Sequence, residues 1–259
     1  MSELEKSESE SGSRRHKFDP MPAKLDFVQS ATGLFLALFM WGHMLFVSTI
    51  LLGNDAMYTV TKFFEGEYIF GKSYPAIVTI SVAIVFAIFI LHALVAMRKF
   101  PGSYREYRIY KQHMKQMKHS DTTLWFYQIM TGFVMFFLGS VHLYIIMTNS
   151  GDIGPYASAD RVVSQWMAPL YLLLLLAVEF HGSIGLYRLM MKWGWLEGKD
   201  PKASRKRYKR AKYIITAFFL TLGLLTLAAY IKIGIAHQDK VGERYTPTAS
   251  IQQYEGGIA

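Results

Sequence analysis

Four histidines stand in stretches that are otherwise apolar: His43, His92, His142 and His181. An imidazole can ligate a metal, relay a proton or hydrogen-bond inside a bundle, so one alone decides little. Ionisable groups at membrane depth are disfavoured, and each is therefore a candidate for function. The remaining four, His16, His113, His119 and His237, lie in polar segments and carry no such signal. Cysteine is absent. That excludes disulfides, thiolate metal sites, iron–sulfur clusters ligated by this chain and any Cys-x-x-Cys-His attachment of a c-type haem. Metal chemistry must use histidine, methionine or carboxylate. Zinc and di-iron sites recruit carboxylates beside histidine, and the apolar stretches offer only Glu179.

Helices must position these side chains. Of the 259 residues, 52% are hydrophobic and 18% charged, against about a quarter charged in a soluble domain. No charge occurs in 27–54, 73–97, 122–151 or 213–231, and 162–187 carries only Glu179. A bilayer-spanning helix needs about 20 mostly apolar residues. Five are predicted, over about 31–53, 75–97, 122–148, 165–188 and 212–234. Pro75 opens the second, and Asp121 with Thr122 and Thr123 supplies caps for the third. The fold class is an all-α membrane protein, a bundle of five transmembrane helices. A soluble enzyme, a disordered protein and a nucleic-acid binder are excluded, so the net charge of +9 is read as topology.

The first 30 residues hold no apolar run, which leaves the first span as the insertion signal. Residues 1–22 read as a disordered cytoplasmic tail, 23–234 as the membrane domain and 235–259 as an outer-side C-terminal tail. Lys and Arg number 22 in residues 1–30, 98–121 and 188–212, against 6 in the other connections. The positive-inside rule then places the N-terminus in the cytoplasm and the C-terminus outside. The mixed aromatic and basic segment 103–119 is predicted as a helix lying at the cytoplasmic interface.

Depth relates the four histidines. With a rise of ~1.5 Å per residue, His92 and His181 lie ~8 and ~10 Å from the cytoplasmic ends of their spans, and His43 and His142 ~18 and ~28 Å. The pairing is His92 with His181 near the inside and His43 with His142 further out, the pairs centred ~14 Å apart. Facing imidazoles suit the two axial positions of a haem iron, and two stacked pairs make an electron wire. Gly42, Gly139, Gly182 and Gly185 leave room for flat macrocycles, or for close helix packing. Gln29, Ser30, Trp125 and Lys192 near the cytoplasmic edge, and Arg161 outside, are candidate propionate contacts or interfacial anchors.

Several strings then become specific: Ala23-Lys-Leu-Asp-Phe-Val-Gln-Ser-Ala-Thr-Gly-Leu34, Met97-Arg-Lys-Phe-Pro101, Asp121-Thr-Thr-Leu-Trp125, Phe137-Leu-Gly-Ser-Val-His-Leu-Tyr144, Val178-Glu-Phe-His-Gly-Ser-Ile-Gly-Leu-Tyr-Arg-Leu189 and Lys192-Trp-Gly-Trp195. Together they resemble the single-chain, two-haem cytochrome b subunit of quinol:fumarate reductase, within the succinate:quinone oxidoreductases. The likeness runs from about Ala23 to about Gly234. The N-terminal 20 residues and the tail after Gly234 do not match, and Ser120 and parts of 103–118 depart from the pattern.

The resemblance implies a bacterial inner-membrane anchor for a flavoprotein (FAD) subunit and an iron–sulfur subunit, with a dimer of such heterotrimers compatible with it. It implies two haems b, ligated by His43 with His142 and by His92 with His181, and menaquinol as substrate. It also implies Glu65 as the outer quinol-site proton acceptor, Glu179 as a transmembrane proton route, and propionate contacts at Gln29, Ser30, Trp125, Arg161 and Lys192. Glu67 is a rival to Glu65 two residues away. Glu179 and His181 point ~200° apart on an ideal helix, so Glu179 is expected beside the haem pair. Two other readings are a di-haem cytochrome b of a hydrogenase or formate dehydrogenase, and a histidine-containing transporter or proton channel. The direction of catalysis is left open.

Overall fold

The computed structural model describes residues 19–117 and 120–247. The outermost parts of both predicted tails, with His16 and His119, lie outside the described residues. Among the described residues there is no strand, and five helices are long and apolar enough to cross a membrane. They are α1 (Met21–Val47, continued to Leu52 by a 3-10 turn), α4 (Pro75–Met97), α6 (Ser120–Thr148), α8 (Ala168–Trp193) and α9 (Pro201–Ala236). Shorter helices fill the connections: α2 (Asn54–Phe64) and α3 (Glu67–Phe70) in the first, α5 (Tyr104–Met117) in the second, α7 (Pro155–Val163) in the third.

The spans are apolar all round, as a helix in lipid must be. Phe35, Leu38, Ile80, Leu173, Phe218 and Leu225 point outward, each about half exposed. Two helices begin well before their apolar runs. α1 starts at Met21, beside Pro20 and Pro22, because a proline is tolerated in the first helical turn. α9 starts at Pro201, where the Asp200 carboxylate accepts from Lys202 N at 2.8 Å and Ala203 N at 3.3 Å. Its first three turns are basic. The apolar run marks bilayer thickness, whereas caps and backbone bonding mark the helix.

Asp121, in the first turn of α6, faces α9, where Arg205 lies at 2.9 Å and Lys209 at 3.2 Å. It also accepts from the Tyr187 hydroxyl at 3.1 Å.

The packing order places the histidines. α1 packs on α4, α4 on α6, α6 on α8 and α8 back on α1, which closes a ring of four helices. Each of the four carries one of the histidines of the apolar stretches. α9, with no histidine inside its apolar run, stands outside the ring against α8 and α1. Gly223 makes that contact close, since a Cβ there would meet Leu175 Cδ1 at 2.5 Å.

The end of the bundle with short helices α2 and α7 is fastened by the chain after α9. His237, buried, pairs its Nδ1 with Asp160 Oδ1 at 2.9 Å and stacks on Tyr156 with ring centres 4.2 Å apart. Gly242 N donates to Asp160 Oδ2 at 3.0 Å, Arg244 pairs with Asp152 at 2.8 Å and the Tyr245 hydroxyl donates to Asp55 at 2.7 Å. His237 thus has a structural part that its polar sequence neighbourhood did not signal.

Candidate functional site

The ring of four surrounds an open cavity of about 1210 Å³, lined by side chains from one end of the bundle to the other. A pocket for one drug-sized molecule is ~300–1,000 Å³. All four histidines line it. They meet in two pairs across the ring. His92 of α4 faces His181 of α8 with ring centres 6.4 Å apart and planes at 88°. His43 of α1 faces His142 of α6 at 6.2 Å and 57°. The first pair lies toward the basic end, where α4 and α8 terminate, and the second toward the end carrying α2 and α7.

The spacing of the levels can be read along two helices. A Cβ at Gly33 would stand 2.9 Å from His92 Cε1, and one at Gly132 would stand 2.8 Å from His181 Cε1. Gly33 therefore marks the lower level on α1 and Gly132 marks it on α6. His43 and His142 each follow ten residues later, about 15 Å along the helix.

The basic-end imidazoles are held through Nδ1. His181 Nδ1 lies 2.9 Å from the Gln128 carbonyl, which can only accept, so Nδ1 carries the proton and Nε2 the lone pair. His92 Nδ1 lies 3.0 Å from Thr32 Oγ1. At the other level His142 Nδ1 is buried without a hydrogen-bond partner.

These pairs fit an iron that takes only two ligands from protein. A ring centre lies about 1.1 Å from its nitrogen and a metal–imidazole nitrogen bond is about 2.0–2.1 Å, so two imidazoles holding one metal ion between them would have ring centres about 6.2–6.4 Å apart. Both pairs match that separation. Among the described residues no group of three or more His, Asp or Glu side chains converges on a point. The remaining ligands of each iron would come from a macrocycle, and the cavity has the room.

The predicted contact residues are distributed as follows. Gln29, Ser30, Trp125 and Lys192 line the cavity at the basic end, and Arg161 lines it at the other. Lys192 Nζ is 3.2 Å from Asp26 Oδ2 and 3.4 Å from Ser30 Oγ. Asp26 also pairs with Lys99 at 2.9 Å and with Arg98. Arg161 is buried and donates to the Asp152 carbonyl at 2.7 Å. The sequence reading missed Arg188, which lines the cavity and donates to Gln128 Oε1 at 2.6 Å. It also missed Thr32, Gly33, Gln128 and Gly132. One signal was available: a glycine ten residues before the histidine occurs on both α1 and α6.

The two acids lie off the cavity lining. Glu65 ends α2 and is 2% exposed, with Lys62 Nζ at 2.7 Å. Lys62 also donates to Ser73 at 3.1 Å, and Ser73 donates to Glu67. Gly66, with φ of +79°, turns the chain where a Cβ would meet Ile77 at 2.8 Å. The turn leaves Phe63, Tyr68, Ile69 and Phe70 exposed beside Glu65. Glu179 is fully buried, and neither carboxyl oxygen has a hydrogen-bond partner. It lies beside the Trp41 indole, which stacks on Phe219 of α9 with ring centres 5.7 Å apart.

Comparison with known proteins fits this arrangement. Residues 104–240, more than half of the chain, match the family model described as the succinate dehydrogenase/fumarate reductase transmembrane subunit. The chain is 59% identical over 219 residues to the fumarate reductase cytochrome b subunit of Wolinella succinogenes, covering 85% of this chain and 86% of that one. It is 52% identical over 217 residues to the subunit of the same name from Helicobacter pylori, covering 84% of each. A shorter match, 37% over 83 residues, reaches a succinate dehydrogenase hydrophobic membrane anchor subunit of Archaeoglobus fulgidus and covers 30% of this chain and 71% of that one. The chain belongs to the succinate dehydrogenase/fumarate reductase transmembrane subunits, as a membrane subunit of the fumarate reductase cytochrome b type.

Proposed function

We infer that this chain binds two haems b in the central cavity and carries electrons between membrane menaquinol and an iron–sulfur subunit docked at its basic end. The observation that carries the reading is the pair of ring separations, 6.4 and 6.2 Å, each matching two imidazoles on one iron. Once bound, each haem supplies a one-electron centre, and two of them carry the electrons of one quinol in single steps. The residues of the chain do the rest. His92 with His181 and His43 with His142 offer the axial nitrogens. Gln29, Ser30, Trp125 and Lys192 receive propionates at one end and Arg161 at the other. Lys192 exchanges part of its pairing with Asp26 for this.

The basic end is assigned to the cytoplasm by its Lys and Arg excess, which sets the N-terminal tail inside, the C-terminal tail outside and residues 23–234 as the membrane domain. Its cations, with α5 beside them, meet the iron–sulfur subunit, which in turn joins the flavoprotein that interconverts fumarate and succinate. Quinol binds at the opposite end, where exposed Phe63, Tyr68, Ile69 and Phe70 cover its ring. Glu65 accepts a proton there, since quinol releases two protons with its two electrons. Glu179 passes protons between the ring and α9. Substituting each histidine in turn tests the assignment. His92→Ala or His181→Ala removes one haem, His43→Ala or His142→Ala the other, and two haems per chain in any of these variants overturns it.

A further inference from the structure

We propose that Thr32 is a positioning residue for the basic-end haem: its hydroxyl takes the Nδ1 proton of His92 and so fixes both the tautomer and the plane of that imidazole. The proposal rests on the bis-histidine reading above. Thr32 Oγ1 lies 2.7 Å from the Val28 carbonyl, one turn back on α1. A hydroxyl has one proton, and that contact uses it. The 3.0 Å contact between Thr32 Oγ1 and His92 Nδ1 therefore has the ring donating. Nε2 is left bare for the cavity. The Gln29 carbonyl lies near the same ring, so one turn of α1 presents two oxygens to it. Gly33 completes the slot. A Cβ there would stand 2.9 Å from His92 Cε1 and 3.5 Å from Nδ1, so the imidazole rests against bare backbone.

The partner ligand is held in the same way by α6. His181 donates to the Gln128 carbonyl at 2.9 Å and rests on Gly132. That acceptor is backbone and survives any substitution. Thr32 is the side-chain half of the clamp, where the orientation can be altered while both ligands remain. The two clamps cross the rings at 88°. Crossed imidazoles donate into different iron d orbitals, which brings those orbitals close in energy, and a low-spin ferric centre of that kind gives a strongly anisotropic EPR signal. An accepted Nδ1 proton makes the ring more basic, which favours ferric iron and lowers the midpoint potential.

The test uses the whole complex, purified with Thr32→Val, Thr32→Ser and His92→Ala, with haem content, EPR and redox titration as readouts. Thr32→Val is expected to retain both haems, to reduce the anisotropy of one ferric signal and to raise that haem's potential, with the other haem unmoved. Thr32→Ser restores both properties. Thr32→Ala carries the same expectation if the valine variant does not assemble. Unchanged signal and potential in Thr32→Val or Thr32→Ala, with one haem lost in His92→Ala, overturns the proposal and leaves bis-histidine ligation standing. An equal shift in Thr32→Ser overturns it as well, since a merely structural disturbance would not distinguish serine from valine. Two haems retained in His92→Ala overturns the ligation reading and this proposal with it.

Discussion

Gly132→Ala is predicted to deplete one haem selectively. The added Cβ would stand 2.8 Å from His181 Cε1 and 3.0 Å from Nδ1. Carbon atoms rest at about 3.5–4.0 Å, so ring and helix must part by at least about 0.7 Å. Metal–ligand distances tolerate about 0.2 Å, and the Gln128 carbonyl at 2.9 Å pulls the ring toward the same helix. The ligand cannot retreat without lengthening that bond as well. Overpacking of this kind costs about 1–3 kcal/mol, or roughly 5- to 150-fold in affinity. The assay is haem per chain in purified complex, titrated against added haemin. Expected is a basic-end site filled in part, the other site full, and the missing share restored at high haemin. Gly151→Ala is the control, because its Cβ reaches Pro75 only at 3.9 Å. Full occupancy at both sites with wild-type affinity would refute the reasoning, as would equal loss from both.

Glu65→Gln is expected to stop quinol-linked fumarate reduction while both haems, and fumarate reduction with an artificial donor, persist; normal quinol turnover removes Glu65 from the mechanism. Glu179→Gln is expected to abolish a carboxylic-acid band that changes in infrared difference spectra on haem reduction, together with quinol-driven activity; an unchanged band and full activity leave Glu179 a structural acid. Single cysteines placed in 98–117 or 194–210 are expected to resist an impermeant reagent added outside intact cells, and ready labelling inverts the topology.

The spans were legible because a charge-free run of about twenty residues suits little besides a bilayer, and the histidine pairs because depth alone relates residues on separate helices. The ends of α1 and α9 were not. Hydropathy reports the lipid, and nothing in it distinguishes a basic helical turn from a basic loop. Asp121 reads as a cap from its neighbours, whereas its ion-pair partners Arg205 and Lys209 lie more than eighty residues on and leave no local signal. The burial of Glu65 was not legible either, because it comes from Lys62 and the Gly66 turn folding around it. Gly33 and Gly132 were lost among glycines that any membrane bundle contains, and Thr32 among hydroxyls that bond back to their own helix.

The fifth helix, standing outside the ring of four, has a consequence for the field at Glu179. α9 packs against α8 and α1, the helices that carry Glu179 and Trp41. The Glu179 carboxyl is fully buried within the protein on α8, off the cavity lining and beside Trp41. Charges interact strongly across such a medium, because little water stands between them to screen. A unit of charge arriving at His181, two residues along α8, is felt at Glu179 without any contact between them. An acid so placed would sense charge on the cavity side without lining the cavity itself.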